Sequence, residues 1–551
     1  MKRNLLLKGL LFVMLGLVVL GGVDCRKQPT RDGKYGGTLR IGGHAGKPSI
    51  INPILTEGTI SAPLLSLIFN SMERVNKDMM YEPDLAESWE VSADKLAYTF
   101  HLRKGVRFHD GVELTAQDAV FTFNLLTDPE TDSPWRRNYT AIKDCRALDR
   151  YTLRIDLKEP VATDYYLRTT TIIPEHLLKS DTGARLKTSK FNNKPIGTGP
   201  FRFVERTSDG QPVPNAFGTN RGKVILEANP DYYEGRPYLD RIIASGYETT
   251  GQCWNAFMRN EIDLILYLSR DNFEVAKRDK EFRTYITPNN FNYVLEYNPG
   301  HPVFKDKRVR QAITHSIDID EVIQKVEGGY GIKSAGPFMP GSWANAPEVR
   351  PFEYNPGRAI ELLNEAGWRL NAKGVMEKDG QEFRFTMICD TILKDTQLIA
   401  RLVYQYLYRI GIRLDIITMD SRTKDEEAQR GLINDAGVFL WTFGLVVEPL
   451  DAANLWHSRK MNKEHRAWRY DNPEVDRLFD LGINTPDINE QKRIYRDIHK
   501  IIYAEQPATF LYHPPILSAV SAHIQNTDAL FNSPEMPFYY MKDWSIEPEN
   551  N

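Results

Sequence analysis

Cysteine is scarce in this chain: four among 551 residues, at positions 25, 145, 253 and 389. No two stand as CxxC and none has zinc-ligand spacing, so a structural zinc site and a dithiol redox centre are excluded. Cys145, Cys253 and Cys389 leave at least one thiol unpaired; one disulfide among them is open, and the spacing does not choose it. A surplus of one charge is missing too: 70 basic side chains stand against 73 acidic ones, with no long single-sign run. Nucleic acid, which needs a concentrated basic surface, is not expected as a partner. HExxH and GxSxG do not occur, and "GGHAGKPS" has proline where a phosphate loop needs Ser or Thr. The eleven histidines stand in no liganding pattern. His109-Asp110 reads as a turn hydrogen bond, and the acids of Asp231-Tyr232-Tyr233-Glu234 read as solvent-exposed. The expectation is no metal, no cofactor and no enzyme.

What is present describes a well-packed exported protein. The 41% hydrophobic and 11% aromatic content belongs to a folded chain, and 551 residues exceed one compact core, so two or three folding units are expected. Lys2, Arg3 and Lys8 precede a charge-free apolar run from Gly9 to Val23, the pattern of an export signal over 1–24. No later run is apolar enough to span a bilayer, and a single N-terminal membrane anchor is the other reading of this segment. Cys25 follows directly, and the stretch resembles a bacterial lipoprotein signal in which that cysteine carries the lipid. Asp24 departs from the Gly, Ala or Ser most such signals have. Residues 25–34 then form a polar tether, and the expected place is the periplasm or the outer face of the cell membrane.

The periodicities predict mixed α/β structure. "YGGTLRIGG", "LAYTFHLRKG" and "RYTLRIDLKEP" alternate as strands. "PIGTGPFRFVE" is a bend entering a strand, and "KVILEANPDYYEGRPYLDRII" is strand, turn and strand. "LTAQDAVFTFNLL" starts a helix at Thr115, with Asp118 completing a capping box. From about residue 290 helices dominate. Val309, Ile313 and Ile317 recur at helical spacing; Asn355, Pro356 and Gly367 bracket a short helix. A helix runs to Gly411 and is followed by a strand, another helix runs to Pro507, and "ATFLYHPPILSAV" is a final strand-like run.

In chain order, "YGGTLRIG", the 81–123 block "YEPDLAESWEVSADKLAYTFHLRKGVRFHDGVELTAQDAVFTF", "PIGTGPFRF", "ANPDYYEGRPYLDRI", "VFKDKRVRQAITHSIDIDEVI", "GPFMPGSW", "YNPGRAIELLNEAGW" and "NPEVDRLF" carry a resemblance. Together they resemble the family-5 extracellular solute-binding proteins of bacterial ABC importers, the dipeptide, oligopeptide and nickel-binding group. The resemblance implies a two-lobed, class II periplasmic-binding-protein-like α/β fold. Lobe I would span 35–288, with an extra subdomain about 60–190, lobe II 289–508, and 509–551 would return to lobe I. It implies a monomeric receptor that closes on a solute by a hinge and delivers it to permease subunits. A peptide-like solute is the first expectation. An oligosaccharide or other small organic solute, or an envelope chaperone or adhesin on the same fold, is the alternative.

The resemblance also places a ligand wall. Peptide-binding members carry Trp-x-x-Asp after a lobe II strand, the aspartate holding the peptide α-ammonium. Here Trp441 matches the tryptophan, Thr442 and Phe443 lie between, Gly444 stands at the aspartate position, and Glu448-Pro449 matches the following acid-proline pair. From Ala436 to Val447 there is no ionisable side chain, a wall suited to a sugar ring, an apolar side chain or a blocked peptide. A free amine would need a replacement acid, Glu448 or Glu57. Glu57, Gly58 and Thr59 would line the lobe I side, and Tyr512 is a further wall candidate.

Overall fold

The computed structural model describes residues 34–44, 51–56, 61–77, 79–161, 164–208, 211–212, 222–298, 300–391, 394–420, 423, 435–442, 452–458, 470–485, 487–532 and 538–547. The export segment, Cys25 and the tether as far as residue 33 lie outside them. Among the described residues no helix is long and apolar enough to cross a membrane.

Two large sheets organise the chain. The first has eight strands in the order Phe282–Pro288, Pro515–Ser521, Leu264–Ile265, Thr38–His44, Arg241–Tyr247, Gly222–Ala228, Phe201–Ser208 and Gln211–Pro212. The first strand of the chain is central to it, paired in parallel with Arg241–Tyr247 on one side and Leu264–Ile265 on the other. The second has six strands in the order Ile332–Lys333, Ala508–His513, Phe291–Tyr297, Ala436–Thr442, Arg384–Asp390 and Arg413–Met419. A four-stranded antiparallel sheet, Ala86–Val91, Ala97–Leu102, Thr152–Leu157 and Ile142–Asp149, shares its core with the eight-stranded one. The mixed α/β expectation is met.

The six-stranded sheet is covered on both faces, and strand alternation explains how. Tyr293, Leu295 and Tyr297 point into a core built with helices Lys307–Ser316, Ile319–Glu327 and Lys394–Arg409. Val294 points the other way, against Phe479, Ile494, Ile498 and Ile502 of helices Pro473–Asn484 and Ile488–Glu505. Each such fully buried aliphatic contributes about 1.5–3 kcal/mol of transfer free energy.

Local rules hold where side chains bond the backbone. The carboxylate of Asp118 accepts from the Thr115 N–H at 2.8 Å, which starts helix Ala116–Thr127. Asn355 accepts from the Arg358 N–H at 2.9 Å, Pro356 takes the first position of helix Pro356–Glu365, and Gly367 follows at φ +93°. "PIGTGPF" needs both its glycines. A Cβ on Gly197 would lie 2.0 Å from the Ile68 carbonyl oxygen, and one on Gly199 2.5 Å from the Ile68 carbonyl carbon. His109 holds the same bend. Its Nδ1 accepts from the Gly197 N–H at 3.3 Å and its Nε2 donates to the Gly199 carbonyl at 3.0 Å. The pair His109-Asp110 is thus the turn device expected, with Asp110 accepting from the Val112 N–H at 3.2 Å and also bonded to His176 at 2.7 Å. Asp231 and Glu234 are exposed as expected, and Glu234 also pairs with Arg74 at 3.0 Å.

Two readings from periodicity change. The helical spacing through Ile317 is two helices, Lys307–Ser316 and Ile319–Glu327, because Asp318 caps a new start, its carboxylate accepting from the Glu321 N–H at 3.0 Å. The strand-like run over 508–521 is two strands in different sheets, Ala508–His513 and Pro515–Ser521, divided at Pro514. Cys145, Cys253 and Cys389 are all buried free thiols, so none of the three pairings is made.

Candidate functional site

Among the described residues the chain passes between the two large sheets twice. Strand Phe282–Pro288 ends in the eight-stranded sheet and Phe291–Tyr297 begins in the six-stranded one; Ala508–His513 leaves the latter and Pro515–Ser521 enters the former. These crossings, at 289–290 and 514, lie side by side, because the Asn289 N–H donates to the Pro514 carbonyl at 3.1 Å.

Strand Ala436–Thr442 runs antiparallel to Phe291–Tyr297 and ends beside the first crossing. Thr442 pairs with Phe291 and Trp441 with Asn292. The backbone of Trp441 and Thr442 therefore stands at the edge of the gap between the sheets. Phe443, Gly444 and Glu448 lie outside the described residues, as do Glu57, Gly58 and Thr59. The residues leading into the latter group are fixed. Thr56 hydrogen-bonds Asn52 through its Oγ1 at 2.7 Å, and the Trp135 Nε1–H donates to the Thr56 carbonyl at 3.1 Å.

Tyr512, expected as a wall residue, is instead fully buried in the core between strand and helices, 0% exposed. Its ring lies 5.1 Å from that of Tyr293, and its hydroxyl donates to Glu327 Oε1 at 3.1 Å. The Tyr293 hydroxyl interacts in the same way with Asp395. Two tyrosine–carboxylate pairs thus stand side by side near the crossing. Burial, then the charge of Asp395, pushes the Glu327 carboxyl up to about 7, against the Tyr512 bond and the Arg270 guanidinium. Burial also raises Asp395, partly offset by its Tyr293 bond.

Glu327 and Asp395 are absent from the sequence reading. Glu327 had a signal: it is the last residue of helix Ile319–Glu327, where the helix dipole disfavours an acid. Asp395, in the first turn of helix Lys394–Arg409, is where acids ordinarily sit and carried none.

The crossing also holds a buried polar cluster. His513 Nδ1 lies 2.9 Å from the Phe291 carbonyl and 3.2 Å from that of Asn289, so it carries the proton and Nε2 is an acceptor. The Asn292 Nδ2 group faces that Nε2 at 3.4 Å and donates to Ser334 Oγ at 2.7 Å. Burial pushes His513 down to about 4, so the ring is neutral at physiological pH. Among the described residues no group of three or more His, Cys, Asp or Glu is arranged to hold a metal ion.

Comparison with known proteins extends the geometry. The family model for bacterial extracellular solute-binding proteins, family 5 Middle, matches residues 80–463. The oligopeptide-binding protein AppA of Bacillus subtilis (strain 168) is 30% identical over 521 residues, covering 93% of this chain and 92% of AppA. The solved structure of AppA from Bacillus subtilis in complex with a nonapeptide is similar with a TM-score of 0.66 at 28% identity, covering 94% of this chain and 100% of that one. HbpA2 from Haemophilus parasuis, at 20% identity, shares the fold with a TM-score of 0.80 over 93% of this chain and 100% of its own.

Proposed function

We propose, on the premise that this chain belongs to the bacterial extracellular solute-binding proteins of family 5, that it captures a peptide-like solute between two lobes and hands it to an ABC permease. The observation that carries this reading is the likeness to an oligopeptide-binding protein over 93% of the chain. The solute would lie in the gap beside the crossings. Trp441, Thr442, Phe443, Gly444 and Glu448 would line one side, Glu57, Gly58 and Thr59 the other, with Tyr512 behind the wall. The lobes would divide as 35–288 with 509–551, and 289–508, with 60–190 as an extra subdomain.

The reading includes export by the 1–24 segment and a lipid on Cys25, which would tether a monomer to the membrane through residues 25–34. Its work is binding and release, with no covalent step. Closure takes its free energy only from contacts that the solute makes better in the closed form.

Gly444 decides which peptides fit. A desolvated ammonium without its carboxylate loses about 2–5 kcal/mol, or roughly 30- to 3,000-fold in affinity. Restoring the acid by Gly444→Asp is expected to strengthen binding of free-amine peptides by about 30-fold or more, measured by calorimetry on a synthetic peptide panel and its N-acetylated counterparts. Equal affinities for the two proteins across the panel would contradict the placement of Gly444. The same glycine favours a second reading, a solute without a free amine such as an oligosaccharide.

A further inference from the structure

Between helix Ile319–Glu327 and strand Ile332–Lys333 lies Gly328-Gly329-Tyr330-Gly331, three glycines around one aromatic side chain. The helix ends with Gly328 left-handed at φ +65°, and Gly329 follows at φ +91°. This segment belongs to the six-stranded sheet by its flanking elements, yet Tyr330 packs on the other sheet. Its ring meets Phe273 edge-on at 5.1 Å and joins the small core of Cys253, Phe257 and Leu517 beneath the eight-stranded sheet.

Helix Arg270–Arg278, which carries Phe273, supplies the polar half of the contact. Lys277 Nζ stands 5.2 Å from the ring centroid and donates to the Tyr330 hydroxyl at 3.2 Å. The hydroxyl in turn donates to the Glu274 carboxylate. Arg270 lies over Gly328 so closely that a Cβ there would fall 2.2 Å from its Cδ. One tyrosine thus has its ring in an apolar socket and its hydroxyl between a cation and an anion, all three partners on the opposite side of the gap.

Among the described residues the chain joins the two sheets only at 289–290 and 514. Any other contact between them slides or breaks when they separate, and the glycines let the strap rest in more than one conformation. We propose that Tyr330 is an interlobe latch, which holds the two sheets in the arrangement seen here and sets the population of that arrangement before any solute binds. That population matters to binding, because apparent affinity is the intrinsic affinity scaled by the fraction of protein already competent. The inference takes lobe closure from the receptor reading, but its test uses no solute, so the two fail separately.

Small-angle X-ray scattering on the protein purified and stripped of bound solute reads the latch directly. Removing the ring and its charge-assisted hydrogen bond by Tyr330→Ala is expected to lower the ratio of the latched arrangement to the unlatched one about tenfold. The radius of gyration then departs from that of the unaltered protein, with Tyr330→Phe between the two. Glu274→Gln keeps the ring, removes only the charged acceptor, and is expected to shift the radius the same way. It decides the matter where Tyr330→Ala does not fold. Unchanged scattering in the folded variants, each with an unaltered unfolding transition, overturns the latch.

Discussion

Burial pushes His109, His499 and His513 each down to about 4. An unfolded imidazole takes its proton near 6.5. As pH falls from about 6.5 toward 4, the unfolded chain therefore binds protons that the folded one refuses. The stability these rings contribute is full above that window and is lost through it. Glu73 and Glu327, each pushed up to about 7, and Asp84, to about 6, act with the opposite sign as pH falls. Melting reads only the difference, so ring resonances are the better measurement. Three imidazoles are expected to keep neutral-ring shifts from pH 8 to about 5 by NMR; a midpoint near 6.5 for all of them would contradict the burial described. At this scale the sequence was uneven evidence. The role of His109 was half legible, because a histidine between strand and glycine turn suggests a local bond. Its partners Gly197 and Gly199 are nearly ninety positions away in sequence, and only the fold brings them together.

Helix and strand boundaries follow local chemistry where a side chain bonds the backbone. Thr115 with Asp118, and Asn355 with Pro356 and Gly367, were readable because capping is decided within a few residues. The two misread runs show where periodicity alone falls short. Apolar spacing passes smoothly through Ile317, and only the cap at Asp318 separates two helices that both pack on the same sheet face. Asp318→Ala is expected to cost about 1 kcal/mol by denaturant unfolding, with the loss in the midpoint and not in the slope. Likewise the run over 508–521 is apolar on both sides of Pro514, and nothing local says that its halves enter different sheets. That is a topological fact, set by which strands lie beside it. The acids near the crossing were hidden for the same reason: Glu327 and Asp395 are 68 positions apart, and strands 291–297 and 508–513 bring their tyrosine partners together.

As a whole the molecule is two sheets joined by two adjacent crossings, with Trp441 and Thr442 ending a strand at the gap and Tyr330 reaching across it. Family membership makes that gap the place to look for a solute, and on the proposed reading the charge-free segment 436–447 would limit which solutes suit it. The most direct test of the account is native mass spectrometry of the protein as purified, with no solute added. A ladder of adduct masses spaced by amino-acid increments is the predicted result, since a peptide receptor keeps what it captured in the cell. A single adduct of non-peptide composition would contradict the peptide reading and make Gly444 the reason that peptides are refused.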